Sequence, residues 1–225
     1  MSKTDAVYAT LKERIGAGLY SPGYRLVIDA LSRELGVSPI PVREAIRRLQ
    51  AEGWVRHRAN IGAEVAGLKE GEYAEIMQVL ARLEGWVTST ASTFLSGDDL
   101  AELSRIAHAM SEALDLNQLD QYAQLNRQFH GRIAQACPNR FLVEMVDRTW
   151  SRLDRVRRNI FLAVPQRARE SLQEHYHIIQ SLREHAPPHV LESLVEQHQL
   201  RARDAYLAYL RQNPALGQSI YHEKE

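Results

Sequence analysis

Apolar residues recur at helical spacing along most of this chain, and glycines and prolines mark where each run stops. Val7, Leu11 and Ile15 define a first amphipathic helix, Thr4 to Ile15, ending in Gly16 and Gly18. Ser21-Pro22-Gly23 makes a turn, and Leu31 with Leu35 then forms the inner face of a short helix from Ile28, closed by Gly36. Next, Val42, Ile46 and Leu49 repeat at i, i+4, i+7 on a helix with explicit ends. Ser38 stands at its N-cap, Pro39 at its first position and Gly53 at its C′ position. Trp54 to Arg58 and Ile61 to Val65 read as two short strands around a turn containing Gly62.

From Glu72 onward no strand pattern competes with the helical one. Tyr73–Phe94 carries Ile76, Leu80, Leu83 and Val87 on one stripe. Gly97–Leu114, Leu119–Ala136, Phe141–Leu162, Gln166–Glu184 and Val190–Arg211 follow, separated by turn or proline signals. The expected fold class is mainly α: an N-terminal winged helix-turn-helix domain plus a C-terminal all-α antiparallel helical bundle. The expected boundaries are 1–66 for the winged domain, 67–71 for a linker, 72–213 for the bundle and 214–225 for a loosely ordered tail.

Composition changes the picture in three places. No run of about 18 apolar residues exists, so no membrane partner is expected. The N-terminus lacks an apolar segment behind its charge, and Cys137 is the one cysteine, so a reducing cytoplasm without disulfides is the expected setting. Overall charge is balanced, yet residues 1–66 hold ten Lys/Arg against seven Asp/Glu, a net of +3, leaving −3 for the rest. The basic half is therefore the half with the helix-turn-helix. Arg43 and Arg47 lie one turn apart on a ridge facing away from the core, and the wing adds Arg56, His57 and Arg58. Arg43, Arg47, Arg56, Arg58 and Gly62 are the candidate DNA-binding residues on this reading.

The run Ile15-Gly16-Ala17-Gly18-Leu19-Tyr20-Ser21-Pro22-Gly23-Tyr24-Arg25-Leu26, then Gly36-Val37-Ser38, Pro41 to Leu49, and Glu52-Gly53, resembles the N-terminal domain of GntR-family transcription regulators. The resemblance implies that Ser38 and Arg43 contact DNA. Pro39-Ile40 stands where the family usually has Arg-Thr, and Asp29 where a basic residue is common; both departures remove DNA donors. A palindromic double-stranded operator calls for a homodimer, since one short recognition helix reads too few base pairs.

In the bundle, Asn126 and His130 are four apart and share a helix face, while His175 and His198 sit on two further helices. Imidazoles from separate helices converging on a bundle interior can hold a metal, although by spacing alone each also reads as an ordinary core histidine. The segments Leu125–His130, Ser171–His175 with Ile178-Ile179, and Glu196–His198 resemble the FCD ligand-binding domain of FadR-type members. The resemblance implies a divalent metal held by three histidines and an Asp, beneath a small organic-acid effector. His130, His175 and His198 match the histidines, and Asn126 stands at the Asp position, which costs the site a negative charge. Imidazole donors favour zinc or nickel. Leu80 occupies a place where many relatives carry an effector-binding Arg, and Arg82 faces elsewhere. Arg148, Arg152 and Arg155 recur at i, i+4, i+7; one reading is a solvated stripe, the other an inward Arg148 or Arg152 that binds the effector. His177 is expected at the surface or facing a dimer partner. Besides an effector-controlled regulator, two alternatives stay open at this point: a metal-free dimerisation bundle, or a metal-dependent hydrolase or lyase. No general base beside the histidines supports the last.

Overall fold

The computed structural model describes residues 2–16, 19–20, 23–58, 61–66 and 70–213, excepting the side chains of 70, 154–160, 162 and 163. Ser21-Pro22, Gly18, residues 67–69 of the expected linker, the 214–225 tail and the Arg155 side chain lie outside that description. The chain divides into two compact units, one centred on residues 1–70 and the other on 71–212.

The first unit runs α1 (Lys3–Gly16), α2 (Ile28–Glu34), α3 (Pro39–Ala51), β1 (Val55–Arg58) and β2 (Gly62–Val65). Its core forms because the apolar stripes all face inward: Val7, Leu11, Leu31, Val42, Ile46 and Leu49 are buried together with Trp54. Gly36 and Gly53, with φ of 64° and 75°, end α2 and α3 in the left-handed conformation that glycine adopts at least cost. β1 and β2 are antiparallel, with Val55 opposite Val65 and Arg56 opposite Glu64. Ser38 is the N-cap of α3 by position, but its side chain makes no capping hydrogen bond. A cap hydroxyl bonds the N–H of the second or third residue; Pro41, the third, has none, which leaves only that of Ile40.

The second unit contains α4 (Glu70–Ala91), α5 (Gly97–Asp115), α6 (Leu119–Ala136), α7 (Arg140–Ala163), α8 (Pro165–Arg183) and α9 (Pro188–Gln212). Ser96 and Asp99 form a reciprocal capping box at the start of α5. α4 begins three residues before the expected Tyr73 and ends three before Phe94, where Phe94 N–H turns to Ala91 O at 2.8 Å. α8 and α9 begin on prolines, Pro165 and Pro188, since a first-turn position needs no N–H donor. α4 and α9 cross closely at Gly85, where an added Cβ would meet Glu192 O at 2.9 Å. Next to that crossing, Ser89 donates to Glu192 Oε1 at 2.6 Å.

Candidate DNA interface and metal centre

α3 is a two-sided helix: Val42, Ala45, Ile46 and Leu49 face the core, while Ser38, Ile40, Arg43, Glu44, Arg47 and Arg48 are exposed. Among the described residues Arg43 and Arg47 form no ion pair, so both guanidiniums face solvent. Arg48 is otherwise engaged: its guanidinium lies 3.9 Å from the Tyr8 ring centroid and reaches Asp5 and Glu52 at 3.4 and 3.5 Å.

On the wing, the two arginines lie beside one carboxylate. Arg56 and Glu64 are cross-strand partners, which puts them on one face of the hairpin. Arg56 Nε donates to Glu64 Oε1 at 2.7 Å, and Arg58 Nη1 lies 3.9 Å from the other oxygen. Glu64 is buried, so it offsets charge that would otherwise reach outward, most of all that of Arg56. Gly62, with φ of 97°, lets the chain turn back at the tip of the wing.

In the second unit, α6, α8 and α9 bring His130, His175 and His198 together, all buried, with one ring nitrogen of each within 4.8 Å of the others. His130 Nε2 and His175 Nε2 are 3.3 Å apart. Two nitrogens each about 2.1 Å from one tetrahedral ion would lie roughly 3.4 Å apart, so the spacing suits a shared ligand role. Asn126 is 1% exposed, and neither its Oδ1 nor its Nδ2 has a partner among the described residues. A buried amide costs free energy unless something bonds it, which makes this the atom set to watch.

Two carboxylates stand behind the imidazoles. Glu84, on α4, lies 3.1 Å from His130 Nδ1 through Oε2 and accepts from Trp150 Nε1 at 2.5 Å. Gln199 Nε2 also donates to Glu84. On α8, Glu174 accepts from His198 Nδ1 at 2.6 Å and from Arg167 and Arg201, each with a contact of 3.0 Å. Because a carboxylate can only accept, it holds the proton on Nδ1 and leaves Nε2 as the nitrogen available to a metal. Burial pushes the His198 imidazolium down to a pKa of about 4, against the pull of Glu174 and with help from neighbouring His130. His198 is thus neutral at pH 7, and its contact with Glu174 is a hydrogen bond rather than an ion pair. For Glu174, burial works to raise the pKa, but the bonds from His198 and Arg167 outweigh it and hold the value at about 2.

A small cavity adjoins this cluster, lined by Tyr73, Met77, Asn126, Trp150, His198 and Gln199 among others. Arg148 and Arg152 do not line it. Arg148 pairs with Glu144 at 2.6 Å and Arg152 with Glu72 at 2.9 Å, both exposed on α7, so of the two readings open for them these side chains fit the solvated stripe. Leu80 is fully buried, Arg82 is exposed and pairs with Glu196, and His177 is exposed. Sequence reasoning missed Glu84, Trp150, Gln199, Glu174 and Arg167. One signal was available: Glu84 falls four residues after Leu80, an acid on the inward stripe of α4.

Residues 3–65 match the model of the bacterial regulatory proteins of the gntR family, and residues 75–201 match the FCD domain. The HTH-type transcriptional regulator McbR of Escherichia coli (strain K12) is 28% identical over 180 residues, 80% of this chain and 81% of its own length. The gluconate operon transcriptional repressor of Bacillus licheniformis is 27% identical over 207 residues, 92% of this chain and 80% of its own. The solved structure of E. coli McbR/YncC has the same fold, with a TM-score of 0.69 at 24% identity over 99% of this chain and 100% of that one. With the FCD match alone spanning more than half of the sequence, the protein belongs to the GntR family and is a DNA-binding transcription regulator with an FCD domain.

Proposed function

We propose that the protein binds a palindromic operator as a homodimer, through α3 and the wing, under the control of a small organic acid bound in the second unit. A divalent ion, zinc or nickel, would be held there by Asn126, His130, His175 and His198. The observation that carries the metal reading is the convergence of three buried imidazoles beside an amide that no group among the described residues satisfies. The donor set fits such an ion: three buried imidazoles, two of which, His130 and His198, have Nδ1 held by a carboxylate. When bound, the ion would supply a Lewis-acidic anchor for a carboxylate oxygen.

No arginine or lysine is among the described residues that line the cavity. Among those residues, Asn126, Gln199 and Tyr73 offer an anionic effector hydrogen bonds, and the ion would offer it charge. Metal and effector should then bind with positive coupling. Val79 and Trp86, both exposed and seven residues apart on α4, supply an apolar surface that supports pairing of two chains.

The test is zinc titration of chelator-treated protein, with elemental analysis of protein as purified. About one ion per chain, lost in His175→Ala, is the expected result. If wild type and Asn126→Asp both bind no zinc or nickel, the bundle is metal-free and its histidines serve the effector directly.

A further inference from the structure

The outward face of α3 carries one large apolar side chain, that of Ile40. Ile40 is 66% exposed at the second residue of the helix. At about 100° per residue it stands opposite Leu49, which is fully buried, and so lies on the centre line of the outward face. Arg43 and Arg47 sit roughly 60° and 20° to one side of that line, and Glu44 roughly 40° to the other.

An exposed isoleucine needs no explanation by itself. Its position and stiffness are what set this one apart. Pro39 and Pro41 flank it and fix the backbone on both sides. A β-branched side chain in a helix has essentially one χ1 rotamer, so Ile40 is a preformed knob with little freedom to lose on contact. The solvent-facing guanidiniums beside it would bring that knob against a polyanion.

In helix-turn-helix proteins the N-terminal residues of the recognition helix meet base edges in the major groove. Those edges present donors, acceptors and a single apolar group, the C5 methyl of thymine. An isoleucine can complement only the last. We propose that Ile40 reads a thymine methyl in each operator half-site and so selects T·A at that position. The proposal rests on α3 entering the major groove. Three residues of helix rise, about 4.5 Å, separate Ile40 from Arg43, so the thymine would lie one or two steps from the base, a guanine by its chemistry, that Arg43 contacts.

Full-length protein would first be used to select its preferred duplexes from random DNA. Each thymine of the selected site is then replaced singly by uracil, which removes only the C5 methyl. The expected result is one position per half-site where uracil weakens binding about fourfold, the value of one methyl group taken out of water. Ile40→Val should keep that preference, and Ile40→Ala should bind the thymine and uracil sites equally. Tolerance of uracil at every position would overturn the proposal, as would an unchanged preference in Ile40→Ala; both leave α3 in the groove. Failure to enrich any sequence would remove the groove placement itself, and the proposal with it.

Discussion

At Asn126 a polar side chain is buried without a partner among the described residues. An unsatisfied buried amide costs on the order of 1–3 kcal/mol, and bonding to an ion would recover that cost. Asn126→Asp should therefore act with opposite signs in two states. Without metal it buries an uncompensated charge and lowers the melting temperature; with zinc it adds an anionic ligand and raises both affinity and melting temperature. Thermal melts with and without zinc would check this, and a variant that melts like wild type in both states would contradict it. Behind the imidazoles, Glu84→Gln should weaken zinc binding by about 10–100-fold, as loss of a carboxylate that orients a ligating histidine does. Asn126 and His130 were legible in the sequence because they are four apart on one helix. Glu84 was not, because its bonds reach Trp150 and Gln199, 66 and 115 positions away.

Among the elements, the helices could be read because each carries its own stripe and its own stop. Gly36, Gly53, Pro165 and Pro188 act within a few residues, and so do the cap positions. How two helices cross could not be read this way, and the α4–α9 contact shows why. Gly85 sits where the α9 backbone at Glu192 would lie 2.9 Å from a Cβ, a fact set by a partner more than 100 residues on. Gly85→Ala should force α9 outward, strain the Ser89–Glu192 bond and pull His198 and Gln199 from Glu174 and Glu84. A cost of about 1–3 kcal/mol in unfolding experiments, with weaker zinc binding, is expected; wild-type values for both would show that the crossing has room to spare. On α3 the two solvent-facing arginines should separate by role. Arg43→Ala should cost about 1–3 kcal/mol and relax specificity at one base, whereas Arg47→Ala should weaken all sequences alike and reduce the salt slope by about one. Gel shifts at several salt concentrations distinguish the two.

For the whole molecule, the basic first half and acidic second half follow from composition alone, but the response to acid depends on packing that composition does not encode. His198 and Glu174 are both shifted downward, to about 4 and about 2. Unfolded, His198 would take a proton near its ordinary 6.5; folded, it resists until about 4. The unfolded chain therefore binds the extra proton first, and stability present at pH 7 declines as pH falls from about 6.5 toward 4. Glu174 adds a second decline in the same direction, present in full above its ordinary 4.5 and lost as pH falls toward 2. Chelator-treated protein should thus show a urea midpoint that falls steadily below pH 6.5. In His198→Gln the decline between pH 6.5 and 4 should be shallower, because the buried imidazole no longer resists protonation, while the part below 4.5 should remain. A midpoint unchanged between pH 7 and 4.5 in the wild type would mean that His198 accepts its proton in the folded state, as an ion pair with Glu174.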